Sequence, residues 1–196
     1  MPRPAVFFDR DNTLIINDGY LGDPTKTVLM PGAATAVARA RRMGFAVVTI
    51  SNQSGVARGM FTESDVQAVN ARMDELLLAE DAGARIDLHV YCPFHPDAEV
   101  PGYRKESDLR KPAPGMLLLA ASQLDLDLPG SWVIGDALRD IEAGVAAGCK
   151  TILFAPPHIP ASSHATGQSM VMSDHVASSL KTALDAIEAS RRDRPH

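Results

Sequence analysis

The sequence predicts an α/β domain, a doubly wound parallel sheet with helices on both faces. Three observations predict it. Short apolar runs alternate with segments of helical period along the chain, the order that builds a parallel sheet through crossover helices. Each run is of strand length and ends on polar residues. The length, 196 residues with 45% hydrophobic and 22% charged residues, suits one domain with a full core. Residues 1–190 are read as that domain and 191–196 as a flexible tail.

Val6-Phe7-Phe8 ends at Asp9 and reads as a buried strand. Residues 10–31 read as a loop, with turn signals at Asn17-Asp18-Gly19 and Asp23-Pro24. Residues 32–43 read as a helix with Ala33, Ala36, Val37 and Ala40 on one side, stopped by Gly44. Residues 45–50 read as a second strand, broken by Ser51-Asn52-Gln53-Ser54-Gly55. Thr62-Glu63-Ser64-Asp65 has capping-box spacing, and the helix it opens carries Val66, Val69, Met73, Leu76 and Leu77 at helical period. Residues 88–91 read as a third strand, and 114–124 as a helix with Pro114 suited to its first turn. Trp132-Val133-Ile134 reads as a fourth strand ending at Gly135-Asp136, followed by a helix over 138–147 that Gly148 stops. Residues 151–154 read as a fifth strand, 155–173 as a loop without assigned chemistry, and 178–190 as a last helix with Leu180, Leu184 and Ile187 inward.

The formal net charge of −5 argues against a broad nucleic-acid surface. Two cysteines, Cys92 and Cys149, cannot build a disulfide framework, and a structural zinc takes four ligands. No apolar run is long enough to span a bilayer, and MPRPAVFFD lacks a signal-peptide h-region. The expectation is a cytoplasmic protein, monomer or small homo-oligomer, with neither a membrane nor a nucleic-acid partner.

In a sheet of this kind ligands bind beyond the carboxyl ends of the strands. That rule selects Asp9, Ser51, the stretch from Tyr91 to Pro112, and Asp136. Asp9 and Asp11 leave the first strand two residues apart. The first can attack phosphorus, and the second can protonate the leaving oxygen and then activate water. The same pair would also suit a turn cap or a cation site. The Ser51 hydroxyl and the amides of Ser51-Asn52 can hold phosphate oxygens, or form an ordinary polar turn. Lys111 can neutralise phosphate charge, or stand in solvent. Asp136, with Asp140 beyond it, can complete an oxygen-ligand magnesium site with Asp9 and the Asp11 carbonyl, or cap a helix. The coincidence of all four at strand ends, in this order, favours phosphoryl chemistry.

This set resembles the haloacid dehalogenase superfamily of phosphotransferases. Asp9 and Asp11 match its first motif, Ser51 its second, Lys111 its third, and Asp136 with Asp140 its fourth. The stretches DRDNTL, NDGY, SNQSGVARGMFT, YCP-x-HP, RKP-x-PGML and GD narrow the resemblance to the heptose-bisphosphate and histidinol-phosphate phosphatase group. The resemblance implies a Rossmann-like fold without a cap domain, a Mg2+ cofactor on Asp9, Asp136 and the Asp11 carbonyl, and an aspartyl-phosphate intermediate on Asp9. It implies a small phosphorylated substrate, foremost heptose 1,7-bisphosphate losing its 7-phosphate, with histidinol phosphate or another small sugar phosphate as the alternative. Asp9, Asp11, Ser51 and Lys111 would then be catalytic. Asn17, Gly19, Tyr20, Asn52, Gln53, Arg58 and Arg110 would contact substrate, Arg110 at its remote end.

The chain departs from that group in three places. Relatives often carry a zinc loop, C-P-x-H-x-P or C-P-H-H-P followed by C-x-C before R-K-P. Here Phe94, Ser107 and Leu109 stand at ligand positions, and only Cys92 and His95 remain. Two ligands do not close a tetrahedral site, so no structural zinc is expected; Phe94, Val100, Tyr103 and Leu109 are expected to pack the loop instead. Ala137 stands where the group commonly has a lysine, and Asn12 where the first motif has glycine, a change that left-handed Asn geometry tolerates. Cys149 reads as a core thiol and Trp132 as a packing residue, while His158, His164 and His175 are scattered without a shared role. Two other classes share parts of the pattern. A phosphoacceptor signalling domain uses a strand-end Asp but has little need of Asp11 as acid and base. A non-catalytic binding protein would keep the fold and show no turnover. Dehalogenation has no use for Asp11.

Overall fold

The computed structural model describes residues 2–157 and 172–192. Strand β1 (Ala5–Asp9) is buried at every position, as a strand flanked on both edges and covered on both faces must be. After it come β2 (Ile15–Ile16), β3 (Val28–Leu29), α1 (Ala33–Arg42), β4 (Ala46–Asn52), α2 (Ser54–Ala57), α3 (Glu63–Glu80), β5 (Leu88–Cys92), α4 (Gly115–Leu124), β6 (Trp132–Gly135), α5 (Leu138–Ala146), β7 (Lys150–Phe154), β8 (His175–Ala177) and α6 (Leu180–Arg192). The main sheet has six strands in the order β5-β4-β1-β6-β7-β8, and every pairing in it is parallel. The chain winds outward from β1 through β4 to β5, returns to the other side of β1, and winds outward again through β6, β7 and β8. That reversal puts the carboxyl ends of β1, β4 and β6 around one crevice.

The alternation of side chains along β1 divides the core. Val6 and Phe8 pack with residues of α1, α3 and α6, whereas Ala5 and Phe7 pack with residues of α4 and α5. The capping box of α3 is present: the Thr62 hydroxyl accepts the Asp65 N–H at 3.2 Å, and the Asp65 carboxylate accepts the Thr62 N–H at 2.7 Å. No inserted domain interrupts the described residues between β1 and β6.

Four elements differ from the expectation. β4 continues through Ser51 and Asn52, which pair with Tyr91 and Cys92; these two are strand residues, not the loop that breaks the strand. Residues 10–31 contain the antiparallel pair β2–β3, in which Ile15 faces Leu29 and Ile16 faces Val28. β8 adds a sixth strand through pairs such as Ile152–His175. Two- and three-residue strands are too short to show a period. The last helix runs to Arg192, two residues beyond the expected end; Arg191 donates to the Met43 carbonyl and lies over the Phe45 ring. His158 and His164, most of the loop expected over 155–173, and tail residues 193–196 lie outside the described residues.

Candidate active site

Asp9 ends β1, and the parallel sheet sets it beside Ile50 near the end of β4. Its Oδ1 accepts the Lys111 ammonium at 2.7 Å and the Arg10 N–H at 2.9 Å. Among the described residues its Oδ2 has no hydrogen-bond partner. Lys111 also reaches Asp140 Oδ1 at 2.6 Å and the Ile50 carbonyl at 3.0 Å. The Lys111 side chain is only 1% exposed. A buried ammonium persists only where partners repay its lost hydration, and here two carboxylates and a carbonyl do so. Burial pulls the Lys111 pKa down, but Asp140 and Asp9 outweigh it and leave the ammonium above its usual range.

Asp136 follows β6 and adds a third carboxylate. Oxygens of Asp9, Asp136 and Asp140 lie within 4.8 Å of one another. Burial pushes Asp9 up, to about 8, with Asp140, Asp136 and Asp11 adding to the rise and Lys111 opposing it. Asp136 is pushed up to about 6, again by burial first and Asp140 second. Three carboxylates sharing one ammonium leave a surplus of negative charge. Asp140 has both oxygens committed, Oδ1 to Lys111 and Oδ2 to the Ala137 N–H at 3.0 Å. Among the described residues Asp136 Oδ1 is buried without a partner. An unpaired carboxylate oxygen beside surplus negative charge fits a hard divalent cation held by oxygen ligands. Gly135 leaves room for this arrangement, since a Cβ there would meet the Asp140 Cβ at 2.4 Å.

The Asp11 carboxylate takes no part in that cluster. Arg10 brackets it with two contacts of 3.2 Å, Asn17 donates at 2.7 Å, Ser51 at 3.0 Å and Gln53 at 2.8 Å. Burial raises the Asp11 pKa, but the charge of Arg10 and the hydrogen bonds from Arg10, Asn17 and Ser51 prevail and hold it below the usual carboxylate range. Arg10 is itself buried and donates to the Asn70 side chain on α3 at 3.1 Å. Neither Arg10 nor Asn70 stands out in the sequence. An arginine beside two aspartates reads as solvated, and a single polar residue on a helix carries no pattern.

A cavity of about 490 Å³ is lined by two of these carboxylates, Asp11 and Asp136. Asn17, Gly19 and Tyr20 line it from the loop between β2 and β3, Asn52 and Gln53 from the end of β4, Arg110 from the loop before α4, and Arg139 from the first turn of α5. The Asn52 amide is already engaged: it donates to the Lys111 carbonyl and accepts the Lys111 N–H, both at 3.0 Å. Arg58 does not line the cavity; it caps the end of α2. Nothing in the sequence motifs marks Arg139. Asn12 has φ 57, the left-handed geometry expected of it, and its side chain accepts the Asn17 N–H at 3.1 Å. Phe61 fixes the cavity wall. A Cβ at Gly55 would stand 2.3 Å from its ring, and one at Gly22 would meet its Cβ at 2.5 Å, so α2 and the loop carrying Gly22 close down on one aromatic side chain.

The loop from Cys92 to Lys111 is held by apolar packing and by Glu63. Phe94 and Leu109 pack against the core. Phe94 stacks at a tilt on Tyr103, with ring centroids 6.0 Å apart, and lies under the Lys105 ammonium. Glu63 accepts the hydroxyls of Tyr91 and Tyr103, each at 2.9 Å. His95 Nδ1 accepts the Asp97 N–H at 3.0 Å, and the Cys92 thiol lies 3.8 Å from the Phe94 carbonyl. Elemental analysis of protein purified without added metal is therefore expected to find far less than one zinc per chain. Cys92→Ser is expected to lower stability by about 1–3 kcal/mol, the cost of burying a hydroxyl in apolar surroundings. Complete unfolding of that variant, or one zinc per chain, would show a metal role for Cys92.

Fold and site together define a class: an α/β enzyme whose strand-end carboxylates face a cavity suited to a phosphoryl group. Comparison with known proteins agrees. Residues 108–183 match the HAD-hydrolase-like family model. The chain is 46% identical over 153 residues, covering 78% of it and 83% of the relative, to the D-glycero-β-D-manno-heptose-1,7-bisphosphate 7-phosphatase of Rhodopseudomonas palustris. It is 36% identical over 186 residues to the enzyme of the same name from Yersinia pestis, covering 95% and 96% of the two chains. The crystal structure of D,D-heptose 1,7-bisphosphate phosphatase from B. bronchiseptica, complexed with magnesium and phosphate, superposes with a TM-score of 0.77 at 27% identity, covering 95% of this chain and 99% of that one. The chain belongs to the haloacid dehalogenase superfamily of hydrolases, in the family of these heptose-bisphosphate phosphatases, and it is a phosphatase.

Proposed function

We propose that the enzyme removes the 7-phosphate of D-glycero-β-D-manno-heptose 1,7-bisphosphate through an aspartyl phosphate on Asp9. One observation carries the mechanism: Asp9 is fixed through Oδ1 by Lys111 and the Arg10 N–H, while Oδ2 has no hydrogen-bond partner among the described residues. Asp9 Oδ2 attacks phosphorus in line, and the bond from phosphorus to the C7 oxygen breaks. Asp11 gives a proton to the leaving oxygen. In the resting site Asp11 is held ionised, and the arriving phosphate, a like charge, raises its pKa so that it enters the reaction protonated. Water then attacks the phosphorus, Asp11 takes its proton, and phosphate leaves with Asp9 restored as a carboxylate. Lys111 neutralises charge on the transferring group, and such positioned charge is the main lever on a loose phosphoryl transition state. Asp9 and Asp136 would hold magnesium, which would offset the charge of the phosphoryl oxygens.

The substrate assignment is supported by the relatives' names and by the two arginines, Arg110 and Arg139, that line the cavity. Among the described residues no helix is long and apolar enough to cross a membrane. A soluble phosphorylated substrate and a cytoplasmic location fit this reading. The test is kcat/KM with magnesium for the heptose bisphosphate, histidinol phosphate and a chromogenic monoester. The bisphosphate is expected to be fastest and to leave a heptose 1-phosphate. Faster turnover of histidinol phosphate would replace the substrate. A long-lived phospho-Asp9 without turnover would make the chain a phosphoacceptor.

A further inference from the structure

Arg139 is the second residue of α5. A cation in the first turn of a helix is disfavoured by the positive end of the helix dipole, so its placement calls for a reason. Its side chain lines the cavity together with Arg110, which comes from a different loop. Among the described residues neither guanidinium makes an ion pair or a side-chain hydrogen bond. Arg139 Nε and Arg110 Nη1 are both buried without a partner. Burial lowers the Arg110 pKa, and the neighbouring charges of Arg139 and Arg58 lower it further. Two half-buried arginines lining one cavity, each with a buried donor unmet among the described residues, are an arrangement that an anion completes. The charge that touches Asp9 is Lys111, at 2.7 Å; no guanidinium does. Among the described residues the site therefore has one cation in contact with the reacting carboxylate and two guanidiniums without a contact partner. Burial lowers the Arg139 pKa, but the charges of Asp140, Asp9, Asp136 and Asp11 reach it and hold it above the usual range.

We infer that Arg139 acts with Arg110 as a two-arginine clamp on the substrate's non-reacting phosphate, and so determines preference for a bisphosphate over a monophosphate. The inference rests on the substrate reading above. The clamp also implies that the product, which keeps that phosphate, binds to the same pair.

The experiment measures kcat/KM for the heptose bisphosphate and a chromogenic monoester, and the inhibition constant of the heptose 1-phosphate product, in wild type, Arg139→Ala, Arg139→Lys, Arg110→Ala and the double alanine variant. Arg139→Ala is expected to lower kcat/KM for the bisphosphate by about 10–100-fold more than for the monoester, the effect of losing hydrogen bonds to a charged group. It should weaken product inhibition by a similar factor. Arg139→Lys should recover part of the preference, because it keeps the charge without the fork. The double variant should lose less than the product of the two single losses, because both arginines hold one anion. Equal losses on both substrates, an unchanged product inhibition constant, or strictly multiplicative losses would overturn the clamp. A wild-type preference for the bisphosphate that survives Arg139→Ala would overturn the clamp alone. A wild type without that preference would overturn the substrate reading and the clamp with it.

Discussion

Asp9→Asn is expected to abolish turnover, with kcat lower by on the order of 10⁴-fold or more, as when a nucleophile is removed from a catalytic unit. No acid-stable phosphoryl adduct should be trapped on the variant, whereas brief quenching of wild type with labelled substrate should trap one. The fold should survive. The Asn carbonyl oxygen can still accept the Lys111 ammonium and the Arg10 N–H that now meet Asp9 Oδ1. Asp11→Asn removes the proton carrier and leaves the nucleophile in place, so kcat should fall by roughly 10²–10⁴-fold, the usual contribution of general acid–base catalysis. Because the Asp11 carboxylate stands apart from the Asp9, Asp136 and Asp140 cluster, magnesium affinity by calorimetry should change little. Near wild-type rates in either variant would remove the mechanism.

Lys111→Met is expected to damage both activity and stability. The ammonium is the shared partner of Asp9 and Asp140. Removing one member of a buried ion pair costs about 3–5 kcal/mol, because the remaining charges stay buried and unpaired. For a domain of this size that corresponds to a melting temperature lower by roughly 10 °C. The rate should fall by about 10²–10³-fold, the cost of one preorganised donor at a developing charge. Added magnesium should recover part of the lost stability, since it supplies positive charge to the same carboxylates. A melting temperature within about 2 °C of wild type would mean that Asp9 simply takes up a proton when the lysine is gone.

Much of the reacting end is legible in the sequence. Asp9, Ser51 and Asp136 stand out because each ends an apolar run, and in a parallel sheet the ends of such runs share one edge. Lys111 is visible only through its motif, since a single lysine after a loop carries no pattern. What stays hidden depends on contacts between distant residues. Asn52 reads as a phosphate ligand, yet its amide is spent on the Lys111 backbone. Ser51 reads as a holder of phosphate oxygens, and nothing local shows that its hydroxyl donates to Asp11. Arg10 reaches Asn70 across 60 positions of sequence, and no local rule connects them. Arg139 lies in a helix start, where acidic residues are the expectation and a cation is easily passed over. The missing edge strand has a different cause: β8 is three residues long and gains its identity only from the edge of β7.

The two hydrogen bonds between the Asn52 side chain and the Lys111 backbone have a consequence for how the molecule can change. They tie the far end of the loop after β5 directly to the end of β4, so the lysine's address does not depend on what stiffens the loop before it. Aromatic stacking over Phe94, a metal, or some other brace is interchangeable from the standpoint of the reacting end. The loop residues between Cys92 and Asp108 are thus open to drift and to grafting, and one brace can replace another there without disturbing the apparatus that breaks the phosphate ester.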